Sequence, residues 1–91
     1  MFTLKYDTTK ALKNDKKKLL NNRKTSNIIR KKLEEFRINP ESSQFNIKQM
    51  QPKSADRFRL RFWDYRVIYS IDFGNDIIII HRIWSRKDIY K

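Results

Sequence analysis

The chain has no cysteine, one glycine, two prolines and one histidine. Without cysteine there is no disulfide framework and no thiolate chemistry, which suits a reducing compartment. A single histidine without cysteine also excludes a Cys–His nucleophile pair and makes a zinc site unexpected. One glycine cannot build a phosphate-cradling glycine loop. Long apolar runs are missing as well. The longest is "IIII" at 77–80, far below the roughly 20 residues that span a bilayer. The opening "MFTLKYDTTKALKNDKKK" lacks the apolar stretch of a secretory signal. No membrane association is expected, and the expected location is the cytoplasm.

Acidic residues are also scarce. The 91 residues carry 22 Lys and Arg against 10 Asp and Glu, a net charge of +12. The excess is +8 over residues 1–56 and +4 over 57–91, so it is spread along the chain and not confined to a tail. Such a fold repels itself and attracts polyanions, so a nucleic acid or an acidic protein is the expected partner. The length fits one domain, 1–91, with a modest core.

What is present reads in two halves. "FTLKY" at 2–6 alternates and predicts a short strand. A helix follows, capped by Asp7 or Thr8, through Ala11, Leu12, Leu19 and Leu20; Asp15 and Lys16 interrupt its apolar stripe. A second helix, capped by Thr25 or Ser26, sets Ile29, Leu33 and Phe36 on one face and stops at Asn39-Pro40. The short polar turn near 22–24 makes the two an antiparallel hairpin. Residues 40–56 read as a connecting loop held by Phe45, Ile47 and Met50. Strands are predicted at 57–62, 65–72 and 77–84, with "FGND" at 73–76 as a turn in which Gly74 supplies a permissive backbone. The fold class is α+β, in the order β-α-α-β-β-β, an antiparallel-rich sheet with the helical hairpin on one face.

If Trp63-Asp64 is a two-residue hairpin loop, Arg61 faces Arg66 and Arg59 faces Ile68. One face then holds Phe58, Leu60, Phe62, Tyr65, Val67, Tyr69 and Ile71 and forms the core. The other holds Arg57, Arg59, Arg61 and Arg66 with no acid among them. Opposed like charges destabilise a sheet by some tenths of a kcal/mol, whereas arginine suits planar, bidentate phosphate contacts. An anion-binding face follows. If the last hairpin turns at Gly74-Asn75, His81 opposes Ile68 and joins that face. A three- or five-residue loop puts Arg82 there instead. Guanidinium groups suit phosphate neutralisation but are poor bases. RNA carries its own nucleophile, the 2′-hydroxyl, so an Arg/Lys/Tyr site can cleave it without metal or cofactor.

The runs "RLRFWDYRVIY" and "RIWSRKDIY" resemble the C-terminal half of the RelE/ParE toxin superfamily, on the RelE side. The resemblance implies a RelE-like toxin of a type II toxin–antitoxin system: an endoribonuclease (mRNA interferase) cutting mRNA in the ribosomal A site without metal. It implies an acidic antitoxin partner in a toxin–antitoxin hetero-oligomer. It places Arg59, Arg66, Arg86 and Tyr90 in the catalytic set and Arg57 at a further basic position of the strand; Arg57, Arg61, Lys87 and His81 are the candidate RNA contacts. The ParE branch, which inhibits DNA gyrase by binding, is the competing implication. Two positions depart from the family pattern: Trp63 stands where glycine is common, and Ser85 where histidine is common.

Overall fold

The computed structural model describes residues 1–49 and 57–85. Within them the order is β1 (Thr3–Tyr6), α1 (Lys10–Leu20), α2 (Arg23–Ile38), β2 (Asn46–Gln49), β3 (Arg57–Phe62), β4 (Tyr65–Asp72) and β5 (Ile77–Ser85). These strands form one five-stranded sheet in the order β1-β5-β4-β3-β2. β1 runs parallel to β5, and the other neighbours are antiparallel. The expected α+β fold is therefore present with one strand more than the sequence suggested. That strand, β2, lies inside the segment read as a loop. It is short and at the sheet edge, and Ile47 turns to the core opposite Leu60 while Asn46 and Lys48 point away. Met50 lies outside the described residues.

Both helices begin earlier or later than their first capping candidates. Thr9, not Asp7 or Thr8, caps α1: its hydroxyl accepts from Leu12 N–H at 3.3 Å. Asn22 caps α2, its side-chain oxygen accepting from Thr25 N–H at 3.2 Å. Ser26, a candidate cap, instead sits on the buried stripe and accepts from Arg30 Nε at 2.9 Å. Lys17 and Lys18 close α1 where the helix dipole favours cations. Among the described residues no helix is long and apolar enough to cross a membrane.

The helices bury Leu12, Leu19, Ile29, Leu33 and Phe36 against Leu60, Phe62, Val67, Tyr69, Ile78, Ile80 and Ile83. Phe36 sits at the centre, edge-on to Tyr69 at 4.8 Å and to Phe45 at 5.3 Å. Such pairs add about 0.5–1.5 kcal/mol to the area they bury. Burial pushes the Tyr69 phenol up to about 12, so it remains protonated at neutral pH.

Asp15 accounts for the interrupted stripe of α1. It lies on the same face as Leu12 and Leu19 and is only 7% exposed. Its carboxylate accepts from Arg82 Nε at 2.6 Å, from Arg82 Nη2 at 3.2 Å and from the backbone N–H of Ile83 at 3.1 Å. β1 covers β5 only as far as Ile80. Beyond that point the helix supplies the acceptor that a neighbouring strand would have supplied. The carboxylate also raises the pKa of the Arg82 guanidinium.

Two turns carry left-handed backbone. The Phe62–Tyr65 pairing confirms the two-residue loop, and Trp63 takes φ 52°. The β4–β5 loop spans four residues, and its left-handed position is Asp76, φ 55°, not Gly74. Asp72 organises this loop by accepting from Asn75 N–H at 3.2 Å and Asn75 Nδ2 at 2.8 Å.

Two stability predictions come from these contacts. Asp15→Ala strands a buried N–H and half-exposes a guanidinium partner, so unfolding free energy should drop by about 2–3 kcal/mol. Urea denaturation at unchanged m-value measures this, and a drop below about 0.5 kcal/mol would refute the role given to Asp15. Trp63 is 74% exposed, so it has little packing to lose. Trp63→Gly should relieve the left-handed backbone and raise stability by about 0.5–1 kcal/mol, seen as a higher denaturation midpoint.

Candidate nucleic-acid interface

The side of the sheet away from the helices is built by register. Arg61 pairs with Arg66 and with Asn46, and Arg59 pairs with Ile68 and with Lys48. Arg57 pairs with Ser70. On the far side Ile68 faces Arg82, and Arg66 faces Trp84. A cross-strand row thus runs Lys48, Arg59, Ile68, Arg82, and a second runs Asn46, Arg61, Arg66, Trp84. Ile68 is buried, 4% exposed, and forms an apolar floor between Arg59 and Arg82. Among the described residues no carboxylate forms an ion pair with Arg57, Arg59, Arg61 or Arg66. The expected arginine face is present.

The alternatives left open for His81 and Arg82 have a joint answer. From the turn, Asp72 to Tyr69 pair with Ile77 to Ile80 in the register that a Gly74-Asn75 tip gives. Between Ile68 and Tyr69 the register slips by one residue, and Ile68 then opposes Arg82. One extra residue in β5 allows both Ile80 and Ile83 to point into the core. The two residues between them, His81 and Arg82, are half-buried. His81 bonds to Ser70, which lies on the arginine face, and Arg82 opposes Ile68 there. A β-bulge does this by inserting one unpaired residue and bending the strand.

His81 is held at both ring nitrogens. Nδ1 lies 2.8 Å from Asp7 Oδ2, and Nε2 lies 2.8 Å from Ser70 Oγ. Asp7 stands at the end of β1, where its N–H bonds Ile80 O at 2.8 Å. The hydrogen bond from His81, then that from Thr8 N–H, lowers the pKa of Asp7 despite some burial; the charge of Arg57 adds to the shift. Arg82 stacks over the Trp84 ring at 4.9 Å. Trp84 is half-buried and pairs across the strands with Arg66.

Of the residues singled out in the sequence, Arg57, Arg59, Arg61, Arg66 and His81 come together on this face. Arg86, Lys87 and Tyr90 lie outside the described residues. Lys48, Ser70 and Asp7 join the site without having been assigned to it; Arg82 and Trp84 continue its register, but the Arg82 guanidinium is bound to Asp15 of α1. The signal for Lys48 is the alternation of "FNIKQ", which is too short to stand out from a polar loop. The bulge was legible in "IHRI", where two polar residues in succession break the period of two.

Two helices against a five-stranded mixed sheet form an architecture shared with RelE-like toxin structures. Solved structures agree. The RelBE2 toxin–antitoxin complex from Mycobacterium tuberculosis matches with TM-score 0.72 at 22% identity, over 93% of this chain and 98% of that one. The RelE–RelB complex from Pyrococcus horikoshii OT3 matches at 0.69 and 20%, over 93% and 94%. The isolated RelE toxin of E. coli matches at 0.68 and 17%, over 99% and 92%. Comparison with curated proteins gives no match. The family model described as ParE toxin of type II toxin-antitoxin system, parDE, matches residues 6–90. The chain belongs to this family, within the RelE/ParE superfamily of type II toxins.

The Asp7–His81 contact makes a pH prediction. A carboxylate whose pKa is lowered on folding adds stability that is present above its unfolded value, about 3.9, and is lost as pH falls through the folded value. Melting temperature should therefore fall in acid below about pH 4, and Asp7→Asn should lose less than wild type over that window. Equal losses in both proteins would separate Asp7 from the acid sensitivity.

Proposed function

We propose that this chain is a ribosome-dependent endoribonuclease, the toxin of a type II toxin–antitoxin pair that cuts mRNA by 2′-hydroxyl attack. The observation that carries the proposal is the arginine face itself. Arg57, Arg59, Arg61 and Arg66 project from adjacent strands, unpaired with acids among the described residues, over an Ile68 floor. Guanidinium groups in that array can hold a phosphodiester and stabilise the charge that builds on its non-bridging oxygens. In this mechanism Arg59 and Arg66 grip the scissile phosphate from opposite strands, and Arg57, Arg61 and Lys48 hold the flanking backbone. By resemblance, Arg86 assists the leaving group and Tyr90 orients the substrate; Lys87 is a candidate backbone contact. Transesterification to the 2′-hydroxyl needs no metal or cofactor in principle.

The partners follow from the same charge. Relatives of this fold are crystallised with RelB antitoxins. For this chain the proposed antitoxin is an acidic protein whose segment lies on the domain and masks the basic face. The site of action is the cytoplasm, where the ribosome is. A second reading, gyrase inhibition by binding, is kept because the matching family model is described as ParE.

Cleavage-site mapping of mRNA on translating ribosomes tests the proposal. Wild type should cut within codons, and Arg66→Ala should cut at least 100-fold less while melting at the same temperature. Intact mRNA with relaxed or linearised plasmid would point to gyrase. Binding to single-stranded RNA gives an independent measure: each of Arg59→Ala and Arg66→Ala should flatten the plot of log affinity against log salt by about 0.7.

A further inference from the structure

The arginines of the outer face stand open, but one group beside them is closed upon itself. Asp7, His81 and Ser70 come from three separate elements and form a continuous chain of hydrogen bonds, each 2.8 Å long. The His81 side chain is only 11% exposed, so its ring is fixed by these two contacts. An ionised carboxylate only accepts, so Nδ1 carries a proton toward Asp7. When the ring is neutral, the lone pair is at Nε2 and the Ser70 hydroxyl donates to it. A hydroxyl so placed can pass one proton inward while taking another from outside.

The position of this chain gives it a task. Ser70 is the direct cross-strand partner of Arg57. It lies two residues from Ile68, the floor between Arg59 and Arg82. Two residues of strand span about 7 Å, so with the scissile phosphate held over Ile68 by Arg59 and Arg66 and the flanking backbone on Arg57, the ribose between them comes beside Ser70 Oγ. The guanidinium groups there cannot take a proton at neutral pH. His81 is the chain's one histidine, the side-chain type that can. The charged groups on the surrounding elements are Asp7 after β1, Lys5 on β1, Arg57 on β3 and Arg82 beside it on β5. α1, packed on β5, presents Asp15, which is already bound to Arg82.

We propose that Ser70, His81 and Asp7 form the proton relay of the cleavage step, an inference that rests on the nuclease reading above. The 2′-hydroxyl gives its proton to Ser70 Oγ as Ser70 gives its own to His81 Nε2. The 2′-oxygen–phosphorus bond forms and the phosphorus–5′-oxygen bond breaks. The leaving 5′-oxygen takes a proton from water, and the imidazolium later releases the relayed proton to solvent. The products are a 2′,3′-cyclic phosphate and a 5′-hydroxyl end, with no change of oxidation state. Asp7 is a positioning residue: it fixes the tautomer and stabilises the imidazolium.

The test is single-turnover mRNA cleavage on programmed ribosomes between pH 5 and pH 9, with thermal melts to confirm folding. The wild-type rate should rise with pH from the acid end and reach a plateau, as a step that needs an unprotonated base requires. Ser70→Ala and His81→Gln should fall about 100-fold or more and lose that rise. Asp7→Asn should fall about tenfold, and free imidazole should restore part of the activity of His81→Ala. If Ser70→Ala and His81→Gln cut as fast as wild type with the same pH profile while Arg66→Ala is inactive, the relay is wrong and the nuclease reading stands. A uniform loss that keeps the wild-type pH profile and ignores imidazole marks a structural plug and likewise overturns the relay. Wild type that leaves ribosomal mRNA intact at every pH overturns both.

Discussion

The outer face depends on one carboxylate that faces the other way. Asp15 sits on the buried stripe of α1 and binds both the Ile83 N–H and the Arg82 guanidinium. This contact lies just past the β-bulge, where β5 has left β1 behind. A strand edge there would expose an unpaired N–H to the helix, and a buried unpaired N–H costs about 1–3 kcal/mol. By accepting that bond, Asp15 lets α1 press directly on β5 and holds the shifted register in place. The shift, in turn, sets His81 beside Ser70 and Arg82 opposite Ile68. A polar residue in the helix stripe and two in the strand stripe are thus one device.

The sheet divides its labour by face. Its helix side carries Leu60, Val67, Tyr69, Ile78, Ile80 and Ile83, where burial of apolar area supplies most of the stability. Its other side carries charge that works against folding. Arg61 opposite Arg66 is a repulsive pair, and neither finds a carboxylate among the described residues. A cost of some tenths of a kcal/mol per pair is small against a core in which losing one large side chain costs about 3–5 kcal/mol. The fold can therefore carry an uncompensated basic face without a special device for it. Proteins concentrate such locally unfavourable choices at functional sites.

Much of this was legible in the sequence because the strands obey a period of two. "RFRLRF" and "YRVIYS" determine which residues are core and which are not, and the turn length between them sets the pairing. What was not legible came from interactions between segments far apart in the chain. Residues 46–49 pair too briefly, on a sheet edge, to stand out from a polar loop. Asp15 looked like an interruption because its partners are 67 and 68 residues away. Asp7 looked like a cap for α1 because Thr9, which does cap it, is two residues on, while its partner, His81, is 74 residues away. Trp63, standing where glycine is common, adopts the left-handed backbone because the pairing of Phe62 with Tyr65 and of Arg61 with Arg66 leaves only two residues to reverse the chain.

The acids decide what the basic face can attract. Asp7 is committed to His81, Asp15 to Arg82 and the Ile83 amide, and Asp72 to Asn75. Glu34 and Glu35 pair along α2 with Arg37 and Lys32. Each of these carboxylates is held by a neighbour of its own, and among the described residues none forms an ion pair with Arg57, Arg59, Arg61 or Arg66, although the Arg57 charge reaches Asp7. The field over that face is accordingly left for a ligand to neutralise, and a polyanion gains most by doing so. In the proposed function two such ligands compete for it: the RNA backbone and an acidic antitoxin. One face that must serve both explains why the charge is kept open on the sheet and why the groups that need fixed geometry, Asp7, His81 and Ser70, are bound to one another beside it.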